Sequence, residues 1–219
     1  MAKPAPHRLL LAMLVLGGLT RPLPLRAQER FAVGPFLGFF VSNFSFAGPI
    51  GNVVPGSENY RQQTAVIVGA EATLWLTPRL GVGTTVSWSP SDVRQQAISP
   101  DTSLPASVLL IGGFFSLRLT PAQLANDVRL RAGVASLAHL GDAFAPYRHP
   151  RSLTCLLGIE ATLPLASQFR VAGGLDLHLY SFQLTDTLGT QYQKRFMTDL
   201  VARVGVQWIH GHHHVEGGA

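Results

Sequence analysis

The strongest constraint on the fold of this chain is an alternation of apolar and polar residues with a period of two, which recurs after residue 27. In 169–182, apolar side chains at odd positions alternate with a second set that includes Arg170, Asp176 and His178. A β-strand places successive side chains on opposite faces, whereas an amphipathic helix needs a repeat of three or four residues. The pattern therefore predicts strands with one apolar and one polar face.

Eight segments carry this alternation, and the connections between them differ in length. The segments are 31–44, 64–76, 80–89, 107–119, 128–140, 153–165, 169–182 and 196–210. The connections after the first, third, fifth and seventh segments are long: 45–63, 90–106, 141–152 and 183–195. The other three are shorter: 77–79, 120–127 and 166–168. Short turns at one end and long loops at the other are typical of transmembrane β-barrels, and an even strand number returns both termini to the same side.

The polar face distinguishes a membrane barrel from a soluble β-sandwich or lipocalin-like barrel, which would turn its apolar face inward. Glycine is frequent on that face: Gly34, Gly38, Gly69, Gly81, Gly83, Gly112, Gly133, Gly158, Gly174 and Gly205. A solvated outer face would be rich in Lys, Glu and Thr, yet Lys194 is the one lysine after residue 27. Charged residues make up 13% of the chain, about half the usual share. The composition favours a cramped interior and an exterior that meets lipid.

Aromatic side chains at both ends of the apolar face support the same interpretation. Phe31, Phe169 and Trp208 lie at the end with the short turns, and Trp88 and Phe196 lie at the end with the long loops. Aromatic girdles at both membrane interfaces are typical of transmembrane barrels. The expected fold class is therefore all-β: an eight-stranded antiparallel up-and-down transmembrane β-barrel with short periplasmic turns and long external loops.

Residues 1–27 have the organisation of a cleaved signal peptide. Lys3, His7 and Arg8 precede an apolar run, 9–19, that is too short to span a bilayer as a helix. The alternative for this run is a short buried helix. Cleavage after Ala27 leaves 13 basic against 12 acidic residues, so the net charge falls from +5 to +1 and a nucleic-acid partner is not expected. We expect a signal peptide at 1–27, an outer-membrane β-barrel domain at 28–210 and a polar His-rich periplasmic tail at 211–219.

The last strand ends in a pattern that resembles the barrel-assembly signal of outer-membrane proteins. Residues 203–210, RVGVQWIH, are similar to its polar-x-Gly-x-x-apolar-x-apolar form up to Trp208 and depart from it at His210, where an aromatic is usual. The whole chain after residue 27 resembles the eight-stranded outer-membrane barrels of Gram-negative bacteria, of the OmpA/OmpX-like or OmpW-like kind. Pro35 departs from a regular first strand, because it lacks a ladder donor, and it predicts a bulge there.

The polar face also carries charges of both signs, which predict an interior salt-bridge network. Its expected members are Glu71, Glu160, Asp176, Asp199, Arg118, Arg129, Arg131, Arg170 and Arg203. Isolated ions inside a narrow barrel would carry a large desolvation penalty, and eight strands leave an interior just wide enough for side chains. We expect an electrostatic plug, with a gated ion path or a ligand site as the alternative. Two similar hexapeptides, 69–74 and 158–163, lie half a barrel apart and reflect either a duplication or recurring hairpin constraints.

A catalytic centre is not predicted. Asp176 and His178 share a face of the seventh strand, and His139 is expected on an inward face. A nucleophile must lie beside a base, but Ser181 falls on the face opposite His178, and the His-x-Ser pattern of outer-membrane lipid-modifying enzymes is not matched. No catalytic or cofactor-binding residue is assigned.

A metal site is not predicted either. His210, His212, His213 and His214 contain imidazole ligands, but we interpret them as part of a polar tail. Cys155 is the single cysteine of the chain, which excludes an internal disulfide, and we expect it on the lipid face as a small apolar residue.

The sequence thus predicts an exported, monomeric, non-enzymatic outer-membrane β-barrel with a structural or surface-interaction role. The expected partners are outer-membrane lipid, the barrel-assembly machinery through the last strand, and an extracellular ligand at the long loops. Two alternatives stay open: a narrow channel or conduit for small apolar ligands of the OmpW-like kind, and a lipid-modifying outer-membrane enzyme.

Overall fold

The computed structural model describes residues 28–43, 45–47, 59–95, 103–121, 126–148, 150–191 and 194–212. The predicted signal peptide at 1–27 and tail residues 213–219 lie outside the described residues. The strands in the described ranges are β1 (Gln28–Ser42), β2 (Ser45–Ala47), β3 (Asn59–Gln62), β4 (Ala65–Trp75), β5 (Leu80–Gln95), β6 (Ser103–Arg118), β7 (Asp127–Leu140), β8 (Arg151–Ala166), β9 (Phe169–Phe182) and β10 (Arg195–His212). One turn of 3₁₀-helix occupies Asp142–Phe144. No helix in these ranges has the length and apolar character needed to cross a membrane.

Eight long strands close into one antiparallel barrel, as the sequence predicts. β1, β4, β5, β6, β7, β8, β9 and β10 each pair with the next in this order, and β10 pairs with β1. The two short strands continue this wall at the loop end, where β2 pairs with β3, and β3 pairs with the last residues of β5. The first long loop is therefore partly an extension of the sheet.

The strands are staggered by ten residues around the ring. A row of directly paired residues that starts at Ala32 in β1 returns to the same strand at Ser42. The row is Ala32, Thr73, Gly83, Phe114, Gly133, Leu156, His178, Asp199 and Ser42. Such a stagger accompanies a strand tilt of roughly 35–45°. Consequently, residues that pair directly across two strands lie at slightly different heights along the barrel axis.

The predicted loop 90–106 is mostly strand. β5 continues to Gln95 and β6 begins at Ser103, so both ends of this connection belong to the two strands. Pro90 and Pro105 lie in this predicted loop, and each lies beyond the end of the ladder on the other side of its strand. Proline is tolerated where a strand keeps a regular partner on one side only, which explains the difference.

The seam between β1 and β10 also differs from expectation. The predicted bulge at Pro35 is wrong, because β1 keeps one register with β10 on both sides of Pro35 and pairs continuously with β4 there. The register with β10 shifts instead between Glu29 and Phe31. Because Pro35 has no backbone N–H, the ladder with β10 is interrupted there, but β1 contains no extra residue. At the other end of the seam, β10 continues to His212, two residues beyond the predicted end of the barrel at 210.

The two faces of each of the eight long strands are those that the alternation predicts. In β9, Arg170, Asp176 and His178 are buried, whereas Phe169 and Leu175 are exposed. The exposed side chains form an outward apolar belt that includes Leu37, Phe39, Val66, Val68, Leu74, Val86, Ile111, Phe115, Leu130, Val134, Leu157, Ile159, Leu163, Leu175 and Val204. Soluble domains do not expose an apolar surface of this extent.

The aromatic girdles and the cysteine are also placed as predicted. Trp208 and Phe169 are exposed and pair directly with each other near the short turns. Trp88 and Phe196 are exposed in the half of the barrel that carries the long loops. Cys155 faces outward with the apolar belt.

Candidate functional site

The interior of the barrel is divided into two tiers. The charged tier lies in the half near the short turns and consists of Glu71, Asp127, Glu160, Asp176, Arg118, Arg129, Arg131, Arg170 and Arg203, all of them buried. The apolar tier lies in the half near the long loops and includes Phe40, Ile67, Val108, Leu110, Leu137, Phe182, Met197 and Val201. The sequence predicts the charged tier, but not the apolar one.

Two arginines link three carboxylates at the centre of the charged tier. Arg203 contacts Glu71 (Nη1–Oε1, 3.0 Å), Glu160 (Nη2–Oε2, 2.6 Å) and Asp176 (Nε–Oδ2, 2.8 Å). Arg131 contacts the same carboxylates at 3.1, 3.7 and 3.1 Å. Glu71 belongs to β4 and Glu160 to β8, which are four positions apart in the ring of eight. The ion pairs therefore connect opposite walls of the barrel.

Asp127 organises a second group of ions nearer the short turns. Its Oδ2 atom accepts hydrogen bonds from Arg129 Nη2 at 3.0 Å and Arg170 Nη1 at 2.8 Å, and it forms an ion pair with Arg118 Nε at 3.1 Å. Arg129 also contacts Glu160 at 3.2 Å, which joins this group to the central one. The sequence analysis missed Asp127 because it assigned this residue to a turn. Its spacing of two from Arg129 was the available signal, since it puts both side chains on one face.

Asp199 is buried but does not belong to the charged tier, so the prediction for this residue is wrong. Its carboxylate accepts hydrogen bonds from Ser42 Oγ at 2.9 Å, from the Asn43 backbone N–H at 3.0 Å and from the Tyr180 hydroxyl at 2.7 Å. These partners lie near the loop end of the barrel. Alternation places Asp199 on the inner face, but its height along the axis depends on the stagger of the strands.

Aromatic rings cover several of the buried guanidinium groups. The Arg131 guanidinium lies 3.9 Å from the Phe114 ring centroid, and those of Arg118 and Arg129 lie 4.2 and 4.8 Å from the Trp75 ring. Desolvated cation–π contacts of this kind are worth about 2 kcal/mol or more. The rings partly replace the water that these cations lose.

Inward glycines make room for the Phe114 ring and for the Phe36 ring, whose centroid lies 5.5 Å from the Arg203 guanidinium. A Cβ atom added at Gly69 would lie 2.5 Å from Phe36 Cζ, and one added at Gly83 would collide with the Phe114 ring. Any larger residue would displace a ring that packs on the charged tier. This steric requirement confirms the prediction that the glycine-rich face points inward.

A cap formed by residues 141–148 lies over the apolar tier. Phe144, in the 3₁₀ turn, is buried, and its ring centroid lies 4.9 Å from that of His139. Phe182 meets His139 edge-on at the same centroid distance. His139 is fully buried and faces inward, as predicted. The cap thus fills the loop end of the barrel with aromatic side chains.

Backbone contacts hold this cap to the connection between β9 and β10. Tyr147 forms an isolated bridge with Asp186. The Arg148 backbone N–H donates to Thr185 O at 2.8 Å, and the Thr187 N–H donates to Pro146 O at 3.0 Å. The two external connections therefore support each other.

The residues considered for catalysis and metal binding are placed as follows. His178 shares the inner face of β9 with Asp176, and Ser181 faces outward. In the described residues, no hydrogen bond joins a hydroxyl or thiol to His178, and no group of three potential metal ligands occurs. His210 is exposed and packs against Trp208. His213 and His214 lie outside the described residues.

Comparison with known proteins identifies the architecture. No protein-family model and no curated protein matches the sequence. The structure is similar to the outer membrane protein OprG of Pseudomonas aeruginosa, with a TM-score of 0.64 and 10% identity over 85% of this chain and 98% of that one. It is also similar to the outer membrane protein AlkL in DMPC bilayers, with a TM-score of 0.58 and 8% identity over 89% and 98% of the two chains. The fold is that of an eight-stranded outer-membrane β-barrel.

The sequence analysis missed the apolar tier of this outer-membrane barrel because the inner and outer faces of the strands there do not differ in polarity. In 107–111, SVLLI, both faces of β6 carry apolar residues, so the inner face resembles the outer one. Apolar character on both faces of a strand indicates burial on one side and lipid or protein on the other. That loss of contrast was the signal for an apolar interior at the loop end.

Proposed function

We propose that the chain is a monomeric outer-membrane barrel with a structural or surface-interaction role, whose lumen is closed to ions. The observation that carries this proposal is the connection of Glu71 and Glu160, on opposite walls, through Arg203 and Arg131. The apolar belt on the outside supports the location in a membrane, because it offers acyl chains a continuous surface.

The energetics of the charged tier support a closed lumen. Opening an aqueous path would require the arginines and carboxylates to separate, and breaking a buried pair costs about 3–5 kcal/mol when one partner is lost. Several such contacts share Arg203, which meets three carboxylates. A permanently open path through this network would therefore require several ion pairs to break together.

The apolar tier supports a second barrier above the first. Phe40, Ile67, Val108 and Leu137 are fully buried, and Phe144 of the cap packs near them. Apolar constrictions exclude water and ions by dewetting. An ion that passed the charged tier would therefore still meet a dry region.

We place the functional surface on the external connections and propose no enzymatic role. The cap and the β9–β10 connection lie at the exterior, and hydrogen bonds between their backbones hold them together. Binding residues are often carried by loops on a rigid scaffold. The interaction of β10 with the barrel-assembly machinery and of the long loops with an extracellular ligand are parts of this proposal.

A second candidate function is a conduit for small apolar ligands of the OmpW-like kind. The apolar tier favours it, since side chains such as Leu110, Met197 and Phe182 could contact an apolar solute if the cap moved. This candidate requires a conformational change that the first does not, because the tier is filled by its own side chains.

Planar-bilayer recording tests the closed lumen. The refolded chain is first shown to be heat-modifiable on SDS gels and is then added to a lipid bilayer. We expect no steady nanosiemens conductance, and a steady conductance that scales with inserted protein would contradict the proposal. Uptake of an apolar dye by vesicles tests the conduit: faster uptake with the barrel than in empty vesicles would favour the second candidate.

A further inference from the structure

We propose that a cluster of buried donors at the short-turn end of the barrel interior binds a phosphate group. The turn-end cluster consists of Trp75, Arg118, Thr162 and Arg170, and it lies beside the carboxylate of Asp127. All five side chains are buried. The inference goes beyond the closed lumen proposed above, because it assigns a ligand chemistry to one end of the interior.

The ends of neighbouring strands bring the turn-end cluster together. Trp75 is the last residue of β4, Arg118 is the last residue of β6, and Arg170 is the second residue of β9. Asp127 begins β7 and pairs directly with Thr162 in β8. The Arg118 guanidinium lies 4.2 Å from the centroid of the Trp75 ring and 3.1 Å from Asp127 Oδ2. Arg170 Nη1 lies 2.8 Å from the same oxygen. These contacts form one connected site next to the short turns.

Two members of the cluster carry buried donors that find no acceptor in the part of the chain that the structure describes. Trp75 is 6% exposed, and its Nε1–H has no hydrogen-bond partner there. Thr162 is fully buried, and its Oγ1 also lacks a partner among the described residues. An indole N–H can only donate, and a threonine hydroxyl can donate as well. Because an unsatisfied buried donor is unfavourable, both groups indicate an acceptor at this place.

The charge around the cluster favours an anion as that acceptor. Arg118, Arg129 and Arg170 share a single oxygen of Asp127. The charged tier as a whole contains five arginines and four carboxylates, and the adjoining turn, 120–126, includes no acidic residue in its sequence. Positive charge is therefore in excess in the described interior at this end.

A phosphate group fits this combination of donors and charge. A water molecule would satisfy the two neutral donors but would leave the excess charge uncompensated. The oxygens of a phosphate accept hydrogen bonds from guanidinium groups and from neutral N–H and O–H donors together. Free inorganic phosphate and a phosphate ester, such as a lipid headgroup, share this chemistry.

Indole NMR signals test the site in the intact barrel. The full chain is isotope-labelled, refolded in dodecyl maltoside micelles, which contain no phosphate, and titrated at constant ionic strength with inorganic phosphate or with glycerol 3-phosphate. The chain has three tryptophans, and Trp88 and Trp208, which are exposed on the outer face, serve as internal controls. We expect the Trp75 indole N–H signal alone to move downfield and to saturate, because a phosphate oxygen accepts its hydrogen bond. A lower Kd for one of the two ligands identifies a free phosphate or an ester as the better match.

Two substitutions each remove one donor to the phosphate. Arg170→Gln should raise the Kd about tenfold, because a hydrogen bond to a charged group contributes on that order. Thr162→Val keeps the shape and every charge of the cluster and should raise the Kd about threefold. The matched control, Arg94→Gln, removes an exposed arginine at the opposite end of the barrel, where salt screens its charge, and should leave the Kd within about twofold of wild type. Heat-modifiability on SDS gels shows that each variant is folded.

Three results would overturn the inference. In the first, neither ligand shifts the Trp75 signal. In the second, chloride at the same ionic strength shifts it equally, so that the effect is that of any anion. In the third, Arg170→Gln and Thr162→Val are folded and bind phosphate as tightly as Arg94→Gln. A barrel that binds phosphate at Trp75 and also conducts ions would contradict the closed lumen alone.

Discussion

Removing the guanidinium of Arg203 tests whether the charged tier holds the barrel together. Its side chain contacts three carboxylates, Glu71, Glu160 and Asp176, at 2.6–3.0 Å. In Arg203→Gln these carboxylates would keep Arg131, and Glu160 would keep Arg129, so three acids would share two arginines. Loss of one partner from a buried ion pair costs about 3–5 kcal/mol. We expect the free energy of unfolding to fall by that amount.

Urea unfolding in lipid vesicles, followed by tryptophan fluorescence, measures this change. A charge-balanced double variant, Arg203→Gln with Glu160→Gln, removes one acid as well and should recover about 1–3 kcal/mol of the loss. The control, Arg94→Gln, alters an exposed arginine of the same barrel and should stay within about 0.5 kcal/mol of wild type.

Two outcomes would refute this reasoning about the charged tier. In the first, Arg203→Gln unfolds at the same urea concentration as Arg94→Gln, so that the buried ion pairs contribute no measurable stability. In the second, the double variant is no more stable than Arg203→Gln, so that the loss does not come from uncompensated carboxylates.

Two further predictions concern the outer face and the cap. Arginine on the lipid face costs about 2–4 kcal/mol at the bilayer midplane and little at the interfaces. Leu175→Arg should therefore lower the free energy of unfolding in lipid vesicles by that amount, and Phe169→Arg should lower it much less. Equal losses in the two variants would contradict the assigned depths. Truncating a buried aromatic side chain costs about 3–5 kcal/mol, so Phe144→Ala should accelerate trypsin cleavage after Arg148 at least tenfold. The control, Leu188→Ala, changes a side chain that is 91% exposed and should not accelerate this cleavage. An unchanged cleavage rate in Phe144→Ala would show that Phe144 does not hold the cap.

The architecture could be predicted because a period of two in the strands, together with short turns at one end and long loops at the other, is typical of a transmembrane barrel. One register slip would turn every side chain of a strand to the other face, so clear alternation, as in β9, sets the inside and the outside together. The inward positions of Arg129, Arg131 and His139 followed from this rule, and the structure confirms them.

Heights along the barrel axis could not be predicted, because they depend on cross-strand register. The stagger of ten residues places Asp199 beside Ser42 and Tyr180, far from the arginines with which the sequence analysis grouped it. Likewise, the sequence predicts a loop at 90–106, because the tolerance of prolines 90 and 105 within strands depends on where the neighbouring ladders end. The local sequence pattern predicts whether a side chain faces the inside or the outside of the barrel. Its contact partners depend on the register of the strands around the closed sheet.

A label at position 175 tests most directly whether the apolar face meets lipid. A fluorophore is attached to Leu175→Cys in a Cys155→Ala background, and a second label at Leu188→Cys in the same background reports on the external connection. The outer-membrane barrel predicts that the label at 175 is quenched by lipid-borne quenchers and shielded from aqueous ones, with the reverse behaviour at 188. A label at 175 that lipid-borne quenchers do not affect would contradict the membrane-spanning barrel.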